Sequence, residues 1–216
     1  MNDSVEDPLR PLADLLLPDK RNQYFRGTLE ELHARLSVLE LNGNVPTSAR
    51  QLFETAKNVS LYAWFVYRFH QVSEMTAYAA LELALRIRAG ESDSFLDRKK
   101  KRPPSLRDLL EKAMDERWIS PTNFSAMRSL AAIRAADNIV RETIRGLQPG
   151  DEAVVRYPSE AEIAAELGKM DVSTLLRSIP DMRNDLGHGS TTLSNSSVGT
   201  LQIVAEIMNQ IFADPN

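Results

Sequence analysis

Cysteine is absent from this 216-residue sequence, so the chain forms no disulfide, thiolate nucleophile or cysteine-ligated metal site. Long apolar runs are also missing: the uncharged aromatic run 61–67 is far shorter than the ~20 residues that a membrane-spanning helix needs. An excess of positive charge is missing too, because 26 Lys and Arg stand against 30 Asp and Glu. Any contact with nucleic acid must therefore come from a local basic patch.

The N-terminus shows no signal peptide, because residues 1–7 are acidic and no apolar segment follows them. Together with the lack of cysteine, this predicts a soluble protein of the cytoplasm with no membrane partner. Apolar residues make up 43% of the chain, which is enough to fill a substantial core.

Helical spacing of apolar residues along most of the chain predicts an all-α fold, a helical bundle with an N-terminal arm and helical additions. Capping-box patterns beginning at Thr28, Ser105 and Ser159 mark three helix starts. We expect the arm and a first helix within 1–46 and the main helical domain within 47–216.

Four details of this prediction depend on local patterns. The segment 47–89 lacks Pro and Gly, which predicts one long helix or two nearly collinear helices. Within it, Glu82 and Arg86 are spaced to form a pair on the helix surface. The segment 151–158 is the only predicted strand, and Pro180 predicts an interruption of the helix that precedes the last loop.

Three possible catalytic or metal motifs fail on closer inspection. Glu30 and His33 form a single Glu-x-x-His unit, whereas a di-iron bundle needs two. His70 and Glu74 are spaced to share a metal, but with three histidines in the chain a hydrogen bond along the helix is the better interpretation. The stretch 187–190 is similar to the catalytic-histidine turn of subtilisin-like proteases, yet the serine motif and the α/β pattern are missing.

The stretch Arg183-Asn184-Asp185-Leu186-Gly187-His188-Gly189 resembles the Arg-x4-His motif of the HEPN superfamily of small helical domains. In that family the motif lies late in a four- or five-helix bundle, before a final core helix, and 195–213 is predicted to be such a helix. The segment 79–86 is similar to the long earlier helix of these domains. The resemblance covers 51–212 and implies a HEPN-like domain.

The resemblance implies a metal-independent endoribonuclease of a toxin, defence or stress-response system, with no cofactor. Arg183 would bind the scissile phosphate of single-stranded RNA, and His188 would act as general base on the ribose 2′-hydroxyl. Asn184 would orient the histidine or the phosphate.

Helix geometry adds a constraint on this site. At ~100° per residue, Arg183 and His188 project about 140° apart, so an unbroken helix cannot aim both at one phosphate. Either Gly187 lets the helix bend, or the long arginine reaches round, or a second chain contributes its own pair. The family resemblance favours the second chain, and so a homodimer.

Two basic features are candidate RNA-binding surfaces, a loop and one face of a helix. An antitoxin or another protein is a further possible partner. The basic residues are Lys99, Lys100, Lys101 and Arg102 in the loop, and Arg134, Arg141 and Arg145 on the helix.

Two other interpretations stay open. In the first, the chain is a non-catalytic HEPN-like dimerisation or interaction module, and Arg183 and His188 bind the free carbonyl groups at a helix end. In the second, the chain is a helical accessory protein unrelated to HEPN. Exposure of Arg183 and His188 would favour catalysis, and burial would favour a scaffold.

Overall fold

The computed structural model describes residues 9–24, 27–90, 104–120, 123–145, 154–189 and 195–213. In these ranges the chain forms eight α-helices and no strand, so the all-α prediction is confirmed. Two short 3-10 turns, Leu12–Asp14 and Lys20–Tyr24, precede the first helix. The helices are α1 Leu29–Ser37, α2 Thr47–Tyr62, α3 Phe69–Arg88, α4 Leu106–Asp115, α5 Ser125–Arg145, α6 Glu160–Leu167, α7 Val172–Gly187 and α8 Ser197–Ile211.

All three predicted capping boxes are present. At α1, the Thr28 hydroxyl accepts from the backbone of Glu31 at 3.2 Å, while the Glu31 carboxylate accepts from the Thr28 backbone at 2.9 Å. The same reciprocal exchange opens α4 and α6. Each box satisfies backbone donors that a helix start otherwise leaves unpaired.

The segment 47–89 is neither one helix nor a collinear pair. The helices α2 and α3 are joined by a turn at 63–68 and run antiparallel against each other. Across the pair, the Ser73 hydroxyl donates to the carbonyl of Ala56 at 2.9 Å. Doubling back lets both helices bury an apolar face against one core, which a single long helix of this composition could not do.

The N-terminal arm stabilises this turn. The carbonyl of Trp64 accepts from the Asp19 backbone at 2.9 Å and from the Asn22 amide at 2.6 Å, and the Asp19 carboxylate accepts from the backbone of Tyr67 at 3.2 Å. Burial acts to raise the pKa of Asp19, but hydrogen bonds from Arg21 and Tyr67 and the Arg21 charge together hold it well below its ordinary value.

The core lies where α2, α3 and α8 meet, with α4 and α7 packed on α3. The face predicted for the last helix is buried as expected, and it consists of Val198, Leu201, Val204, Met208 and Ile211. None of the helices in the described ranges combines the length and the apolarity that crossing a bilayer requires.

Two local predictions are wrong. The helix α7 continues through Pro180, which is buried beside Leu176 and Ile179. Burial of these residues offsets the ~3 kcal/mol that an interior proline costs a helix. The predicted strand is also missing: residues 154–158 are irregular, and 151–153 lie outside the described residues.

The helices α5 and α6 form a hairpin that packs mainly on itself. Its own small apolar cluster contains buried Ala131, Ala135 and Leu167. Glu206 of α8 joins the hairpin to the bundle, because its carboxylate accepts from the backbone of Ser125 at 3.2 Å, at the start of α5. A carboxylate at a helix start also interacts favourably with the helix dipole.

Candidate exposed motif at the end of α7

The motif lies on the last turn of α7 and does not bend the helix. The backbone N–H of His188 donates to the Asn184 carbonyl at 2.8 Å, which is an ordinary helical hydrogen bond. Gly189 follows with φ of +84°, a left-handed conformation that glycine adopts at little cost after a helix end. The bend at Gly187 is therefore excluded, and Arg183 and His188 remain splayed.

The guanidinium of Arg183 lies between two polar side chains. Its Nη2 is 3.6 Å from the carboxylate of Glu82 on α3, and its Nη1 donates to the Asn184 side-chain oxygen at 3.3 Å. The Arg183 side chain nevertheless remains 43% exposed. The motif arginine is thus held on the α3 side of the helix but stays in contact with solvent.

Glu82 is shared by two arginines. Its other oxygen accepts from Arg86 at 2.6 Å, which confirms the predicted pair, although both side chains are more enclosed than a surface pair. Arg86 also donates to the carbonyl of Pro104 at 2.8 Å. Sequence spacing predicted the link along α3, but the link from Glu82 to Arg183 depends on how α7 packs on α3.

Asn184 and His188 are exposed. Among the residues that the structure describes, the imidazole of His188 makes no hydrogen bond or ion pair. Neither Arg183 nor His188 binds the carbonyl groups at the end of α7, so the side-chain capping that the scaffold interpretation requires is not formed. An exposed imidazole can transfer a proton, and an exposed guanidinium can bind an anion.

Apolar side chains surround the motif. A Cβ at Gly187 would lie 3.8 Å from the end of Met75, and the Tyr78 hydroxyl lies 3.9 Å from the Met182 sulfur. Val72, one turn before Met75 on α3, is 49% exposed, and Met182 is 39% exposed. The motif therefore borders a surface that is partly apolar.

A second, buried polar cluster was missed by the sequence analysis. The Ser197 hydroxyl lies 2.7 Å from both His70 Nδ1 and the Ser60 hydroxyl, and Ser196 donates to the Glu74 carboxylate at 2.6 Å. The hydrogen bond expected between His70 and Glu74 is therefore wrong, because each bonds its own serine at the start of α8. Serines in a loop and at a helix start carry no pattern that predicts such contacts.

Burial sets the protonation of this cluster. It lowers the pKa of His70 to about 4, against a smaller opposing effect from the charge of Asp19. It also raises the pKa of Glu74, opposed by the hydrogen bond from Ser196. Ser197 is fully buried, so its pairing with His70 offers no route to a substrate.

The predicted RNA-binding residues fall partly on a described helix and partly outside the described residues. Arg134, Arg141 and Arg145 share one exposed face of α5, as predicted, but the described contacts of α5 join it to α6 and α8. The predicted basic loop of Lys99, Lys100, Lys101 and Arg102 lies outside the described residues.

Comparison of the chain with family models, with curated proteins and with solved structures finds no match.

Proposed function

We propose that this chain is a cytoplasmic, metal-independent endoribonuclease of a toxin, defence or stress-response system, with a HEPN-like active site. The observation that carries the proposal is the exposed imidazole of His188, which has no partner among the described residues and follows the same last turn of α7 that carries the partly exposed guanidinium of Arg183. Both groups meet solvent, as residues that act on a polymer must.

The proposed reaction is a transesterification within RNA. His188 removes the proton of a ribose 2′-hydroxyl, and the resulting oxygen attacks the adjacent phosphorus. The bond from phosphorus to the 5′-oxygen breaks, and that oxygen takes a proton from the imidazolium or from water. The products are a 2′,3′-cyclic phosphate and a 5′-hydroxyl. Arg183 stabilises charge on the phosphate oxygens, and Asn184 holds the guanidinium.

The splay of Arg183 and His188 supports a homodimer. Since α7 is unbroken up to Gly187, the two groups leave the helix in different directions, and a second copy can add its own arginine opposite the first histidine. The exposed Val72 and Met182 beside the motif supply apolar surface for this contact.

Sedimentation equilibrium should show a dimer at micromolar concentration, and Val72→Glu should weaken it. Val38→Glu, on exposed surface directly after α1, is the matched control.

The direct experiment incubates the purified chain with single-stranded RNA in excess EDTA and identifies the new ends. The expected products carry a 2′,3′-cyclic phosphate, and a DNA strand of the same sequence stays intact because it lacks the 2′-hydroxyl. Cleavage that EDTA abolishes, or products with 3′-hydroxyl ends, would contradict the mechanism.

One observation favours the alternative, a non-catalytic HEPN-like dimerisation or interaction module. The pairing of Arg183 with Glu82 joins α7 to α3 and gives the arginine a structural use. In that case RNA would stay intact while the dimer formed, so the two assays together distinguish the two functions.

A further inference from the structure

The outer face of α5 is unlike its inner face. The inner face packs on α6 through buried Ala131, Ala135 and Ile139. Its polar groups are paired as well, since Arg128 forms an ion pair with Glu160. The inner face thus has a partner inside the chain.

The outer face carries an apolar stripe with no such partner. Leu130, Ile133 and Ile144 are 42%, 59% and 61% exposed. Val140 and Asp137 complete a series in which successive members are three, four, three and four residues apart, the spacing by which one helix packs against another. At ~100° per residue, the five positions cover only about 80° of the helix surface.

Charge lies along one edge of this stripe only. Arg134, Arg141 and Arg145 project within about 40–80° of Asp137 on the side nearer α6. Within the described ranges, none of these arginines makes a hydrogen bond or an ion pair. The other edge carries only small uncharged residues, such as Ala136. In the described part of the chain, the apolar stripe therefore lacks a packing partner and the arginines beside it lack an ionic partner.

A second copy of α5 does not complement this surface. A parallel pair would bring the two Asp137 carboxylates against each other, and an antiparallel pair would bring Arg134 beside Arg141 of the other copy. Like charges at such positions disfavour pairing. RNA would use the arginines but leave the exposed leucine and isoleucines uncovered.

We propose that the outer face of α5 binds an acidic amphipathic helix of a different protein. That helix has about 15 residues to match the stripe, carries apolar residues at three- and four-residue spacing, and places Asp or Glu against Arg134 and Arg141. A Lys or Arg near its centre pairs with Asp137. This interaction is independent of the proposed ribonuclease activity.

The test uses the full-length chain and a fluorescein-labelled three-heptad peptide. The peptide carries Leu at the a and d positions, one Lys at the central a position, and Glu at e and g. Fluorescence anisotropy should show saturable binding. The variant Arg134→Glu/Arg141→Glu should weaken binding about tenfold or more. A peptide with Lys in place of each Glu should then bind the variant better than the original chain, which also shows that the variant is folded.

Control variants distinguish binding of a peptide helix from binding of RNA or of a second copy of the chain. Arg35→Glu/Arg177→Glu makes the same charge change on exposed surface away from α5 and should leave peptide binding unchanged. Ile133→Asn should weaken peptide binding about tenfold or more while binding of a single-stranded RNA oligonucleotide stays the same. The proposal is overturned if the peptide fails to saturate or ignores the charge reversal. It is equally overturned if the arginine variant loses only RNA, or if Ile133→Asn disrupts only self-association.

Discussion

Two histidines in this molecule occupy opposite environments. His70 is 7% exposed, lies 2.7 Å from Ser197, and has its pKa lowered to about 4 by burial. His188 lies at the end of α7, is exposed, and has no partner among the described residues. A histidine with a serine and a carboxylate nearby resembles catalytic machinery more than a lone histidine does, yet only the lone one meets solvent.

Chemical neighbours therefore do not define a site unless a substrate can reach them. The His70 cluster satisfies polar groups inside the bundle, so we expect its loss to affect stability. The His188 motif contributes few contacts, so we expect its loss to affect activity.

The largest expected effect belongs to His188. Replacing it with alanine removes the proposed general base, and we expect RNA cleavage to fall at least about 10²-fold while the melting temperature is unchanged. His33→Ala, on exposed α1 surface, is the matched control and should retain full activity. Undiminished cleavage by His188→Ala would remove His188 from the mechanism.

The next effect belongs to the buried cluster. Ser197→Ala removes the hydroxyl shared by His70 and Ser60, and each buried group left unpaired costs about 1–3 kcal/mol. Urea titration should therefore show a loss of roughly 2–6 kcal/mol in the free energy of unfolding. Ser129→Ala, on exposed α5 surface, should change it by less than about 0.5 kcal/mol. An equal response of both variants would contradict the contrast.

Acid should destabilise the fold through His70. Between the ordinary histidine pKa of 6.5 and the folded value of about 4, the unfolded chain binds a proton that the folded chain does not. The free energy of unfolding should thus fall by on the order of 2–3 kcal/mol as pH drops from about 6.5 to about 4. The raised pKa of Glu74 opposes this trend, because its folded carboxyl keeps a proton above the ordinary value.

Urea titrations at pH 7, 5.5 and 4 check this dependence. The variant His70→Gln removes the titrating group and should flatten the curve over that interval, whereas His33→Gln should not. If both variants keep the slope of the original chain, its source is another group. A further loss below about pH 4 is expected from Asp19, whose lowered pKa stabilises the fold only while the carboxylate is ionised.

The smallest effect should come from the motif's own ion pair. Arg183→Gln removes the charge opposite Glu82 but leaves the closer pair of Glu82 with Arg86 in place. The Arg183–Glu82 pair is 3.6 Å apart and the arginine is 43% exposed, so we expect the free energy of unfolding to fall by about 1 kcal/mol or less. Arg177→Gln, exposed on the same helix, is the control. A loss as large as that of Ser197→Ala would make the motif a structural element and favour the scaffold function.

Sequence patterns predicted the features that depend on near neighbours. The capping boxes need residues three apart, and the buried face of α8 follows from helical spacing, so both were predictable. The turn between α2 and α3 was not, since its carbonyl and N–H groups pair with Asp19 and Asn22 of a distant segment. The helix interruption predicted at Pro180 was wrong because burial in the core offsets the local cost of a proline inside a helix.

The candidate site was predictable only in its residue types. The motif named Arg183, Asn184 and His188, and their exposure follows from where α7 ends. The pairing of Arg183 with Glu82 depends on the packing of α7 against α3, which no spacing within either helix reveals. The serine partners of His70 and Glu74 could not be predicted for the same reason.

The docking of the arm on the α2–α3 turn has a consequence for the order of folding. The hydrogen bond from Tyr67 to Asp19 closes a loop across 48 positions of the chain, whereas α2 and α3 pair across a short connection. Loop closure costs more chain entropy as the loop lengthens, so we expect the helical hairpin to form early and the arm to attach late. During synthesis Asp19 leaves the ribosome before the turn exists, so the arm can dock only after α2 and α3 have paired.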